Sequence, residues 1–342
     1  MRHLRLASAF TAVLLVTAAA PAADTLKAYP AEIMPKAVST TLLDVTWTGQ
    51  RYVTVGQRGH VLLSTDGKSW KQAQTPVRQM LNRVRFLDEN LGWAVGHDGV
   101  IIHTADGGNS WSLQRFDPES QQPLNDVLFL DAQRGFAAGA PARFLQTRDG
   151  GKTWTPVEAD FLALGLHLNT LLKLKDGSVF VGGEKGLLAR STDSGESWQM
   201  VKSPVGGSIL GALAYGDAGV LMYGIRGRVC RTDSFKSVPT DDPKTYDEFA
   251  DHNVNDPAAL QKINWMRYDN TEIESLFGGA LSADGKLVFV GVNGVMVEGT
   301  LAGTTLTRVA TPSDTPLTAI AIRDDGYLVT GRAGIQHLPL NK

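Results

Sequence analysis

Short runs of strand-forming residues alternate with glycine-centred breaks along most of the chain, and apolar patterns of helical period are scarce. The stretch "GHDGVIIHTADGGNSW" (96–111) shows the pattern: a Gly-x-x-Gly break, four strand formers, a second turn and a terminal Trp. It recurs as "GQRGHVLLSTDGKSW" (56–70), "GAPARFLQTRDGGKTW" (139–154) and "GEKGLLARSTDSGESW" (183–198). Weaker copies follow at 224–235, 291–306 and 331–340, making seven units. A run such as "GWAVG" or "SVFVG" leads into each first glycine, and a further run such as "LNRVRFLD", "LNDVLFLD" or "LNTLLKLK" precedes that. The spacing from Trp70 to Leu81, Trp198 to Ile209, Trp265 to Leu276 and Leu306 to Leu317 is identical, and most units start about 40–45 residues apart, the period of four-stranded propeller blades. A single blade cannot bury both faces of its sheet, so its neighbours supply the core. The pattern predicts an all-β, seven-bladed propeller over residues 42–342.

The second turn of each unit reads Ser/Thr-x-Asp-x-Gly-x-Ser/Thr-Trp. It places Asp66 and Trp70, Asp106, Gly108 and Trp111, Asp149, Gly151 and Trp154, and Asp193, Gly195 and Trp198 at equivalent positions. The Asp accepts hydrogen bonds from the turn, Gly reverses the chain, and Trp carries apolar surface to the blade junction. Four equivalent acids argue for scaffold rather than for one catalytic or metal site. The last unit stops after its third strand, so a fourth is expected from residues 23–41, within "TLKAYPAEIMPKAVST", closing the ring. An insertion at 238–264 holds two Asp-Pro steps, Asp242-Pro243 and Asp256-Pro257, each read as the start of a short helix. Its acids lack the spacing of a calcium loop and read as a solvated face.

Residues 1–22 read as a signal peptide: Arg2 and Arg5, then an apolar run, then Ala20-Pro21-Ala22 as the cleavage site. The expected mature chain is therefore exported, periplasmic in a Gram-negative cell, with no transmembrane segment. Removing the two arginines takes the formal charge from -2 to -4, a poor balance for nucleic-acid binding. The single cysteine, Cys230, sits among apolar neighbours and has no partner for an internal disulfide. No cofactor or metal motif is present.

These units, "GWAVGHDGVIIHTADGGNSW" above all, resemble the Ycf48/HCF136 family of photosystem II assembly and stability factors and their relatives in non-photosynthetic bacteria. They also resemble the Asp-box (BNR) repeats of sialidases. The first resemblance implies a seven-bladed propeller that binds protein partners, a membrane or envelope complex being the expected setting. The second would imply a glycoside hydrolase, with Glu184, Tyr268 and Glu272 as unmatched candidates and the Arg-Ile-Pro signature absent. A structural subunit of an envelope complex is the third reading.

In an up-and-down blade the Gly-x-x-Gly turns lie on the rim opposite the Asp boxes. That rim receives Arg58, His97, Asp98, Glu184, Lys185, Arg226, Asn293 and Arg332, with His60, Arg143 and Arg228 just beyond the turns. The resulting excess of arginine on an acidic chain suits the carboxylates of a protein partner. The family resemblance implies an arginine patch too, without a residue-by-residue match.

Overall fold

A computed structural model describes residues 27–247, 250–312 and 314–339. Seven antiparallel sheets follow one another along the chain, each an up-and-down meander whose strands are called A to D from first to last. The A strands are Leu42–Trp47, Leu81–Phe86, Leu124–Phe129, Leu168–Lys173, Ile209–Tyr215, Leu276–Leu281 and Leu317–Arg323. They touch in succession and the seventh touches the first, which closes the ring. The B strands are the most deeply buried, every residue of Tyr52–Gly56, Gly92–Gly96, Gly135–Gly139 and Val179–Gly183 being inside. The cores lie between blades: Val53, Val55 and Leu63 of blade 1 share one cluster with Val84, Ala94 and Ile102 of blade 2.

The inter-blade joints are polar at the channel and aromatic further out. Asn82 donates through Nδ2 to Leu124 O of the next blade at 2.8 Å, Asn125 to Leu168 O at 3.0 Å and Asn169 to Ile209 O at 3.0 Å. Thr318 of blade 7 donates to Leu42 O of blade 1 at 2.8 Å, so the ring closes through the same kind of link. The box tryptophans pack into the clusters that adjoining blades share. Trp111 meets Phe86 edge-on within the blade 1–2 cluster, Trp154 meets Phe129 beside Trp93, and Trp198 meets Phe136 and Phe144. Trp111 is buried, whereas Trp154 and Trp198 are half-buried. Gly195 shows why the box needs glycine: a Cβ there would lie 2.1 Å from the Phe136 ring.

Two expectations are corrected. Among the described residues blade 7 has three strands, Leu317–Arg323, Gly326–Gly331 and Gly334–Pro339, and residues 27–41 form no strand beside it. This segment instead wedges into the seam between blades 7 and 1. Ala31 N donates to Thr75 O, Met34 N to Gln72 Oε1, and Gln72 and Gln74 return bonds to the carbonyls of Glu32 and Ala31. Met34, Trp70 and Ile335 pack over Ala37, Leu42 and Leu62. Prolines at 30 and 35 remove the N–H groups a ladder would need, and side-chain amides of blade 1 satisfy the backbone in their place. In the insertion, Asp242-Pro243 opens a turn rather than a helix, with Lys244 N bonded to Asp242 Oδ1; Phe249 lies outside the described residues. Asp256 does cap a helix, Pro257–Lys262, through Ala258 N. Blade 6 gains a fifth strand, Asp269–Asn270, laid parallel to Thr305–Arg308.

Candidate docking rim

Each Gly-x-x-Gly turn is built by close backbone approach. A Cβ on Gly96 would lie 1.9 Å from Met80 O, so only glycine allows the turn to sit on the start of its own A strand. The third residue is left-handed in five turns: Arg58, Asp98, Lys185, Arg226 and Asn293 have φ between 51° and 57°. Its recurrence in phase makes this conformation a property of the turn, which holds the side chain out on the rim.

The arrangement separates the rim residues into engaged and unengaged groups. Glu184 accepts from His167 N at 3.0 Å and lies 3.3 Å from His167 Nδ1. Arg143 pairs with Asp117 at 3.2 Å, a carboxylate it shares with Arg115. Asn293 donates to Glu274 at 3.2 Å, and Lys185 O accepts from the Tyr246 hydroxyl. His60 is buried and bonded to Thr40, where burial and then the neighbouring Arg58 lower its pKa. His97 projects into solvent and Asp98 is half-buried. Arg58, Arg226 and Arg332 are exposed and Arg228 half-buried, and none forms an ion pair among the described residues.

Arg226 and Arg228 share a groove of about 710 Å³ at the seam of blades 5 and 6, lined also by Arg267, Tyr268, Asp269, Asn270, Glu272 and Ile273. Arg267 is steadied by Val254 O and Asn255 Oδ1 of the insertion, and Glu272 is held by Arg308 at 3.0 Å. Ile273 is 79% exposed on the groove's lip. Sequence reasoning missed Arg267 and Ile273; the stretch "WMRYDNTEIESL" signalled a strand but not that its arginine meets the blade-5 turn. Arg332, on blade 7, does not line this groove. Three guanidinium groups around one lip, none of them in an ion pair among the described residues, outnumber the lining carboxylates Asp269 and Glu272 and can grip carboxylates while Ile273 meets an apolar side chain.

The opposite rim is chemically occupied. Asp149 accepts from Thr147 Oγ1, Thr153 N and Thr153 Oγ1, and Asp193 accepts from the corresponding Ser191 and Ser197 groups. Those hydrogen bonds, led by Thr153 and Ser197, hold both carboxyls at about 2. Asp66 and Asp106 are lowered by equivalent bonds.

A family model described as Photosynthesis system II assembly factor YCF48 matches residues 62–125 and 114–234, together just over half of the chain. The chain belongs to this family. Photosystem II stability/assembly factor HCF136, chloroplastic, of Cyanidioschyzon merolae (strain NIES-3377 / 10D) is 38% identical over 53 residues. That alignment covers 15% of this chain and only 12% of the relative's length. Among solved structures, YCF48 from Cyanidioschyzon merolae superposes with a TM-score of 0.64 at 17% identity, covering 89% of this chain and 96% of the other. YCF48 bound to D1 peptide gives 0.60 at 17% identity, with 92% and 97% covered. The WD40 β-propeller domain of Doa1 gives 0.62 at 12% identity, with 91% and 96% covered. At such identities these three share the fold, and the repeat-based family match is what separates this chain from propellers at large.

Proposed function

We propose that this chain is an exported, non-catalytic propeller that docks a protein partner on its Gly-x-x-Gly rim and serves the assembly or stability of a membrane or envelope complex. The observation that carries this reading is the blade 5–6 groove, where Arg226 and Arg228 form no ion pair among the described residues and lie beside the anchored Arg267 and the exposed Ile273. Membership of an assembly-factor family supports it, as does a related propeller's capture of a D1 peptide. Export rests on the sequence of residues 1–22, which lie outside the described residues. The chemistry around the glycosidase candidates favours binding over hydrolysis. The Tyr268 hydroxyl is directed to Thr300 O and Leu301 O, and Glu272 is committed to Arg308, so the two are not poised as a nucleophile pair. Affinity capture from solubilised membranes of the source cell, with wild type against R226E/R228E, tests the proposal. Loss of one defined partner in the variant supports it. Equal capture by both chains removes the groove from the docking surface.

A further inference from the structure

A second concavity on the same rim, about 260 Å³, is lined by Pro30, Glu32, Met34, Arg58, His60 and Arg78. It lies where the N-terminal wedge crosses the first Gly-x-x-Gly turn. The Thr40 hydroxyl donates to Ala37 O at 2.7 Å, so at 3.0 Å from His60 Nδ1 it can only accept. His60 therefore carries its proton on Nδ1, and Nε2 is a bare acceptor, buried and without a donor among the described residues. Arg58 and Glu32 are exposed and form no ion pair with each other or with other described residues. Arg78 lies over the Tyr29 ring, 4.7 Å from its centroid. The walls thus offer two exposed guanidinium donors and, separately, the Glu32 carboxylate as an acceptor, with the His60 ring closing the floor. Such a site is complementary to a zwitterion with an anion at one end and N–H donors at the other.

Two large apolar side chains stand in solvent beside it, Tyr29 at 56% and Ile33 at 59% exposed. They alternate along the chain with the lining residues Pro30, Glu32 and Met34. An aromatic and an aliphatic side chain flanking arginines suit the boundary between lipid headgroups and acyl chains. We propose that this pocket seats the phosphoethanolamine headgroup of a membrane lipid. Arg58 and Arg78 hold the phosphate, Glu32 takes the ammonium, and Tyr29 and Ile33 enter the interface. The contact turns the rim toward the bilayer and is independent of the groove at blades 5 and 6.

Vesicle flotation of the mature chain tests this with phosphatidylcholine alone, phosphatidylcholine with phosphatidylethanolamine, and phosphatidylcholine with phosphatidylglycerol. Choline has no N–H donor, so binding is expected only in the ethanolamine mixture, displaced by soluble phosphoethanolamine. R78E and E32K, both at exposed positions, should each weaken it about tenfold, the scale of one charge-assisted contact, with unchanged near-UV circular dichroism. R226E/R228E should float like wild type, so this result and the docking result can fail separately. Equal flotation with phosphatidylcholine alone, binding only to the glycerol lipid, or an undiminished R78E would overturn the assignment.

Discussion

Asp126 is fully buried at the channel and ties three blades together, so D126A is the most informative single perturbation of the ring. From blade 3 it accepts from Arg85 of blade 2 at 3.2 and 3.0 Å and from Leu171 N of blade 4 at 2.9 Å, as well as from Val127 N at 2.8 Å. Burial opposes its ionisation, but Arg85 and Arg83 outweigh that and hold its pKa below the ordinary value. Removing the carboxylate strands two backbone donors and leaves Arg83 and Arg85 with Asp44 as their remaining nearby anion. Breaking one partner of a buried ion pair costs about 3–5 kcal/mol. Arg85 is 36% exposed and can be partly rehydrated, which places the expected loss near ~3 kcal/mol. R85M should cost less, about 1–2 kcal/mol, because Asp126 keeps Leu171 N, Val127 N and Arg83. D126A/R85M should lose less than the sum of the two single changes, since Arg85 is no longer left without its carboxylate. Urea unfolding followed by tryptophan fluorescence reads all three. A loss under about 1 kcal/mol for D126A would refute the idea that this network fastens the blades.

Three further outcomes follow from the joints. W111A should cost about 3–5 kcal/mol by urea unfolding and W198A clearly less, because Trp111 is 8% exposed and Trp198 half-buried; equal losses would contradict the packing described. Deleting residues 27–39 should lower the melting temperature markedly by uncovering the seam at Trp70 and Ile335, and an unchanged melting curve would show the wedge to be dispensable. Carboxyl titrations by NMR should give midpoints of about 2 for Asp149 and Asp193. Because the folded values lie below the unfolded one, their stabilising contribution is present above pH ~4 and is lost as pH falls toward 2. Asp44 has the opposite sign: burial outweighs Arg83 and Arg85 and raises its pKa, so its contribution favours the fold at low pH and declines as pH rises through the folded value.

The blades and their boxes were legible in the sequence because their logic is local. The Asp-to-Ser/Thr bonds span two to four residues, so the motif and its geometry are nearly the same information. The Asn82, Asn125 and Asn169 links stood in plain view in the "LN" runs, but their acceptors are some forty residues away and only the ring brings them together. Closure was misjudged for a related reason. A missing fourth strand suggested a strand from the N-terminus, whereas the A-strand contacts, Thr318 and the wedge already seal the ring. At the rim, turn positions were readable but neighbourhoods were not. Arg226 and Arg228 found Arg267 through the insertion, Arg143 was neutralised by Asp117, and Arg332 fell elsewhere.

The central claim is that an arginine-bearing rim holds a protein partner, and it is tested most directly by capture with R226E/R228E/R332E. The triple variant should unfold at the wild-type urea midpoint and lose capture of the membrane-derived partner. Wild-type capture should itself weaken as salt is raised, as expected for charge-steered contacts at an exposed rim. Undiminished capture by the folded triple variant would contradict the account and move the interface to the Asp-box rim or to the 238–264 insertion.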